Sequence, residues 1–161
     1  MSARKLLIGP GAAVLVAALL LGGTASADMS KSVISAFRGQ LVISKSELPE
    51  GKNDKDTIAK IRKEKVTEVV GTANEDVTAW TFHYTAFLSK TGASTLKMEF
   101  YADGKKFVAD KTLDGVDPKS GVLSGEISIN EDEGLSKGKA YVIKLVAGKN
   151  TVVASTPLLM K

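Results

Sequence analysis

The chain has 161 residues, no cysteine, one tryptophan and one histidine, with 22 Lys+Arg against 18 Asp+Glu. The missing thiol excludes a disulfide framework, thiolate catalysis and a lipid anchor on cysteine. The first 27 residues carry Arg4 and Lys5 but no acid, so the rest of the chain has an excess of 20 minus 18, or +2. That withdraws compositional support for a nucleic-acid or anionic-membrane partner.

Arg4 and Lys5 precede the apolar run GAAVLVAALLLGG, and TASA follows before Asp28. This is the pattern of a secretory signal peptide, with Ala25 and Ala27 as the small residues of a cleavage site between Ala27 and Asp28. The strongly apolar part, Gly11 to Leu21, falls well short of the roughly 20 residues that a spanning helix needs. A retained N-terminal anchor is the alternative, because the run from Leu6 to Gly23 approaches that length. The expectation is an exported, periplasmic or extracellular protein with no transmembrane span in its mature chain. Its single domain, 28–161, is long enough to bury a core without disulfides.

After Asp28 the dominant pattern is period two interrupted by turn residues, which predicts an all-β domain. Strands are expected over 33–44, bent at Gly39, and over 79–88, 94–102, 105–113, 121–129, 139–147 and 151–160. Asp103-Gly104 is a hairpin turn signal, and Gly148-Lys149-Asn150 is suited to closing the last hairpin. Pro157 suggests an edge strand, because it removes a ladder donor. The segment 53–71 breaks this rhythm. Asn53, Asp54 and Asp56 are candidate N-caps for a short helix over about 57–65, with Ile58, Ile61 and Val66 on one side. This helical insert is expected to run over one end or edge of the sandwich, with VTEVVG as a short strand or an extended connection.

Near the C-terminus, GLSKGKAYVIKL places Leu135 six residues before Tyr141, with Gly138 in the turn between them. This resembles the tyrosine corner of fibronectin type III and other immunoglobulin-like sandwiches. The resemblance covers roughly 79–160, with Lys137 where the fibronectin version often has proline, and the helical insert has no counterpart in that module. It implies an antiparallel immunoglobulin-like sandwich of about seven strands, a Tyr141 hydroxyl returning to the backbone upstream, and Trp80 as an aromatic centre of the core. The plan is also similar to small secreted bacterial sandwich proteins, whose fold hosts adhesion, sugar binding, chaperoning and structural roles.

Chemistry is sparse. With His83 the only histidine there is no nucleophile elbow around it, and no HExxH, P-loop or GxGxxG occurs. The acidic loops hold Asn130, Glu131, Asp132, Glu133, Asp114 and Asp117. Converging loops of this kind can hold calcium, but neither has the spaced ligand pattern of a dedicated site, and the residues read better as solvated turn residues making local backbone hydrogen bonds. In KIRKEK, Lys60 is expected to pair with Glu64 on a solvated helix face that also carries Lys63. Neither a cofactor nor a catalytic set is implied.

Strand alternation sends Trp80, Phe82, Tyr84, Ala86 and Leu88 to one face and Thr81, His83, Thr85 and Phe87 to the other. Phe87 and Tyr101 lie out of phase with the apolar sets of their strands. With His83 they form the candidate ligand or partner surface, or else pack beneath the insert. The expected function is a non-enzymatic binding or scaffold module for an unknown protein or glycan. The alternative is a carbohydrate-binding or carbohydrate-active envelope protein using loop carboxylates.

Overall fold

The computed structural model describes residues 29–74 and 76–161; the expected signal peptide and its cleavage site lie outside them. Two antiparallel sheets face each other. In the first, β4 (Val77–Phe87) pairs along one edge with β7 (Val122–Asn130) and along the other with β1 (Leu41–Ser44) and β3 (Thr72–Asn74). The second runs in the order β2 (Glu68–Val69), β9 (Thr151–Met160), β8 (Lys139–Ala147), β5 (Leu96–Ala102), β6 (Lys106–Leu113), with β2 parallel to β9. The fold is an all-β immunoglobulin-like sandwich. Among the described residues no helix is long and apolar enough to cross a membrane.

Period-two burial builds the core between the sheets. Trp80, Phe82, Tyr84 and Ala86 of β4 meet Met98 and Phe100 of β5, Ile143 and Leu145 of β8, and Leu158 of β9 in one cluster. The tyrosine corner is present: the Ser136 N–H donates to Tyr141 Oη at 2.8 Å, pinning the long connection from β7 onto the start of β8. The indole Nε1–H of Trp80 donates to the Lys161 carbonyl at 3.0 Å, which also accepts the Gly71 N–H at 2.7 Å. A side chain at Gly71 would drive its Cβ within 2.8 Å of that indole nitrogen, so glycine is required by this close approach.

The sequence reading of 33–44 as one strand is corrected. Lys31–Ala36 forms helix α1, capped by the Ser30 hydroxyl, which accepts from the Val33 N–H. Val33 and Phe37, four residues apart, share the buried face of this turn, and the chain then reverses at Gly39 (φ +76°) before β1. The insert forms helix α2 (Asp54–Glu64), capped by Asn53, whose side chain accepts from the Asp56 N–H. It does not run over an end or edge. Together with α1 it covers the part of the first sheet's outer face around Val42, Phe87 and Val122, where these three form a second core with Ile61, Val33 and Phe37, while Thr81, Glu126 and Ser128 on the same face stay exposed. Lys60 pairs with Asp56 at 3.3 Å and with the Glu50 carbonyl, instead of with Glu64.

Pro157 also has a different reason from the one expected. Strand β9 lies inside the sheet order, but the Ser155 and Leu159 N–H groups donate away from β8, to Gly39 and Thr67. By alternation, position 157 faces the same way, into the gap between those two short pairings, where no donor is needed.

Tyr141→Phe removes one hydrogen bond at the corner and is expected to cost about 1 kcal/mol in urea unfolding; no loss would dismiss the corner as a stabilising contact. Phe87, stacked on Phe37 at 5.0 Å between ring centroids, has a larger role. Phe87→Ala should cost about 3 to 5 kcal/mol and loosen both helices, which amide exchange reads directly.

Candidate functional site

The three sequence candidates are not brought together. Phe87 is fully buried beneath the helices, so it offers no surface. His83 is half-buried on the same side of the first sheet, its Nε2 3.1 Å from Glu126 Oε2 on the neighbouring strand β7. Tyr101 lies on the other sheet altogether.

Tyr101 belongs to the outer face of the five-stranded sheet, which no layer covers among the described residues. Its cross-strand neighbours are Phe107 on β6 and Val142 on β8, and Val142 in turn faces Pro157 on β9. These four form an apolar row across four strands, with Phe107 left 51% exposed. The next row is polar: Asp110, Glu99, Lys144 and Ser155 stand side by side. Lys97 reaches Asp110 at 2.8 Å, which raises the pKa of its ammonium above the usual lysine value.

Charged groups orient the aromatics. The Tyr101 hydroxyl donates to Glu99 Oε2 at 2.7 Å, and this bond, ahead of burial, raises the phenol above its ordinary pKa. Lys144 Nζ stands 3.9 Å from the centre of the Tyr101 ring. Phe107 meets that ring edge-on, at 5.9 Å and 78°. With one ring face occupied by an ammonium and the two planes nearly perpendicular, the pair is not the flat platform on which a sugar ring stacks. It is a ridge flanked by two ammonium groups and two carboxylates.

Sequence reasoning missed Phe107, Val142 and Pro157. An unbroken hairpin around Asp103-Gly104 would have placed Lys106 opposite Tyr101 and turned Phe107 inward. The turn forms as predicted, with both residues left-handed and the Lys105 N–H bonded to the Ala102 carbonyl. Lys105, however, stays in the loop, so that Ala102 faces Lys106 and Phe107 faces Tyr101 on the outer side; a bulge at Val108, between the Tyr101 and Phe100 pairs, then returns Ala109 to the core side.

The acidic loop residues are occupied structurally. Asn130 and Glu133 form a capping box on the turn Glu131–Glu133. Glu131 accepts the Thr78 N–H, which lowers its pKa below the usual carboxylate value. Asp114 accepts from the Thr95 hydroxyl, and Asp117 from the Lys119 N–H.

No family model and no curated protein matches the chain. Among solved structures it is similar to an immunoglobulin-like protein from Pseudomonas aeruginosa, at 12% identity and a TM-score of 0.39, over 76% of this chain and 90% of that one. It is also similar to a β-glucosidase from Kluyveromyces marxianus, solved with glucose, at 9% identity and a TM-score of 0.32. That match covers 58% of this chain and 14% of the enzyme. Likenesses of this size carry no activity across; the description of the fold rests on the two sheets and the tyrosine corner.

Glu99→Gln keeps an acceptor for the Tyr101 phenol but removes the negative charge that opposes its ionisation. The Tyr101 titration, followed by NMR of its ring, should therefore move to lower pH; an unchanged midpoint would mean that Glu99 does not hold this residue.

Proposed function

We propose that the protein is an exported, non-enzymatic binding or scaffold module that engages a polypeptide partner through the outer face of its five-stranded sheet. The observation that carries this reading is the unequal treatment of the two outer faces. Two helices cover the apolar part of the first sheet's outer face, around Val42, Phe87 and Val122, while the apolar row Phe107, Tyr101, Val142 and Pro157 faces outward uncovered on the second. An apolar row bordered by paired charges suits a protein surface: the row supplies desolvation energy, and the Lys97, Lys144, Glu99 and Asp110 border supplies register. Export is supported by the N-terminal charge and hydropathy pattern.

The test has two arms. The full chain, expressed in a bacterium, should be recovered from the envelope or medium with Asp28 at its N-terminus. Crosslinking there with a photoreactive residue at position 107 should yield a discrete protein adduct, lost in a Tyr101→Ser variant that still folds. The same protein should bind no glycan on an array and turn over no polysaccharide. Turnover abolished by one Asp or Glu substitution would overturn the reading in favour of a carbohydrate-active protein, and glycan binding without turnover would replace the polypeptide partner with a sugar.

A further inference from the structure

A second surface, separate from the outer face just described, lies along the open edge of β7. This strand pairs with β4 without a break from Val122 to Asn130, and among the described residues no strand pairs with its other edge. The direction of its backbone groups follows from Phe87, whose N–H and C=O both bond to the Gly39-Gln40 side. The Phe87 and Val122 pair is therefore a non-hydrogen-bonded one, and the backbone groups of Val122, Ser124, Glu126, Ser128 and Asn130 all point out at the open edge.

Both ends of that edge are closed by the protein's own side chains. The Val122 N–H donates to Ser120 Oγ at 3.2 Å, and the Asn130 N–H donates to Glu133 Oε2 at 3.1 Å. Between them Ser124, Glu126 and Ser128 present their donors and acceptors to the outside. The edge of the other sheet differs: β6 is bulged, Gly134 packs against Val108, and Lys111 pairs with Glu133.

Tyr84 adds a second, independent observation. Its ring lies across Gly125, where a Cβ would come within 2.8 Å of the Tyr84 hydroxyl, so only glycine lets the ring cross β7. The side chain is 2% exposed, and among the described residues no fully buried side-chain polar atom lacks a partner, so the hydroxyl is not a buried unpaired group. Burial pushes this phenol up to about 12.

We infer that the β7 edge from Ser124 to Ser128 is a strand-addition site for an extended polypeptide segment with a basic side chain opposite Glu126. Backbone chemistry restricts the occupant to an extended chain, since only its alternating N–H and C=O groups match the open ones. Charge then selects among extended chains. Glu126 is the only charged side chain of β7, and it stays more than half exposed beside His83. A second copy of β7 pairing antiparallel over the full window would set Glu126 against Glu126, a repulsive pair. A lysine or arginine there is attractive, while the Tyr84 hydroxyl is placed to meet a polar group on the core side of the added strand.

The probe is a short, terminally blocked peptide alternating valine and threonine around one central lysine. Its controls are the same peptide with glutamate at the centre and a backbone N-methylated form, all titrated into the full chain and followed by amide NMR and hydrogen exchange. The lysine peptide should protect the amides of Ser124, Glu126 and Ser128 and bind about fivefold more tightly than the glutamate peptide. Glu126→Lys should invert that preference, and the N-methylated form should not bind. Equal binding of both peptides, protection centred on Phe107 in place of Ser124, or a free protein already dimeric through β7 would each overturn the inference. The first and third outcomes leave the reading of the outer face untouched, because they do not involve Phe107 or Tyr101.

Discussion

Strand β4 is packed on both faces at its Thr85 to Phe87 end, and the asymmetry of the molecule follows from that constraint. One face sends Trp80, Phe82, Tyr84 and Ala86 into the sandwich, while Thr85 and Phe87 on the other are sealed by the helices. A strand with large apolar groups on both sides cannot border water, so its sheet needs a third layer. Helices α1 and α2 supply it. The five-stranded sheet stays open: its outer face sets Phe107, Tyr101, Val142 and Pro157 beside Lys97, Glu99, Asp110 and Lys144, and Phe107 is left 51% exposed.

Trp80 and Tyr141 fasten this arrangement with polar ends on apolar bodies. The indole of Trp80 fills the core and spends its single donor on the Lys161 carbonyl, at the end of β9, joining the first sheet to the second. Tyr141 fastens the β7 to β8 crossover with the opposite polarity, its hydroxyl oxygen accepting the Ser136 N–H. Each buries a large ring and satisfies its polar atom locally, so neither leaves an unpaired group in a low-dielectric interior. The same economy explains the acidic loops, where Glu131, Glu133, Asn130 and Asp117 accept backbone N–H groups and Asp114 accepts the Thr95 hydroxyl.

Much of this was legible in the sequence, because local signals and tertiary demand agreed. The spans of β8 and β9, the left-handed turn at Asp103-Gly104, the Asn53 cap and the corner around Tyr141 all express rules that act within a few residues. Helix α1 was hidden because Val33, Ile34 and Phe37 fit a strand and a helix equally well over so short a run, and the Ser30 cap decides between them only weakly. Phe87 was correctly seen as out of phase, but its cover comes from residues distant in the chain. The outer apolar row depends on Lys105 joining the hairpin loop and on the bulge at Val108 that follows, neither of which local composition announces. The open edge of β7 depends on strand order, which period-two patterning does not encode.

The central claim, that the apolar patch on one outer face is sealed by helices and the apolar row on the other is open, is measured most directly by NMR with a soluble paramagnetic probe added to the full chain. Side-chain signals of Phe107, Tyr101, Val142 and Pro157 should broaden strongly, while those of Phe37, Val42, Phe87 and Val122 stay sharp. Broadening of the second group, or sharp signals from the first, would contradict the account.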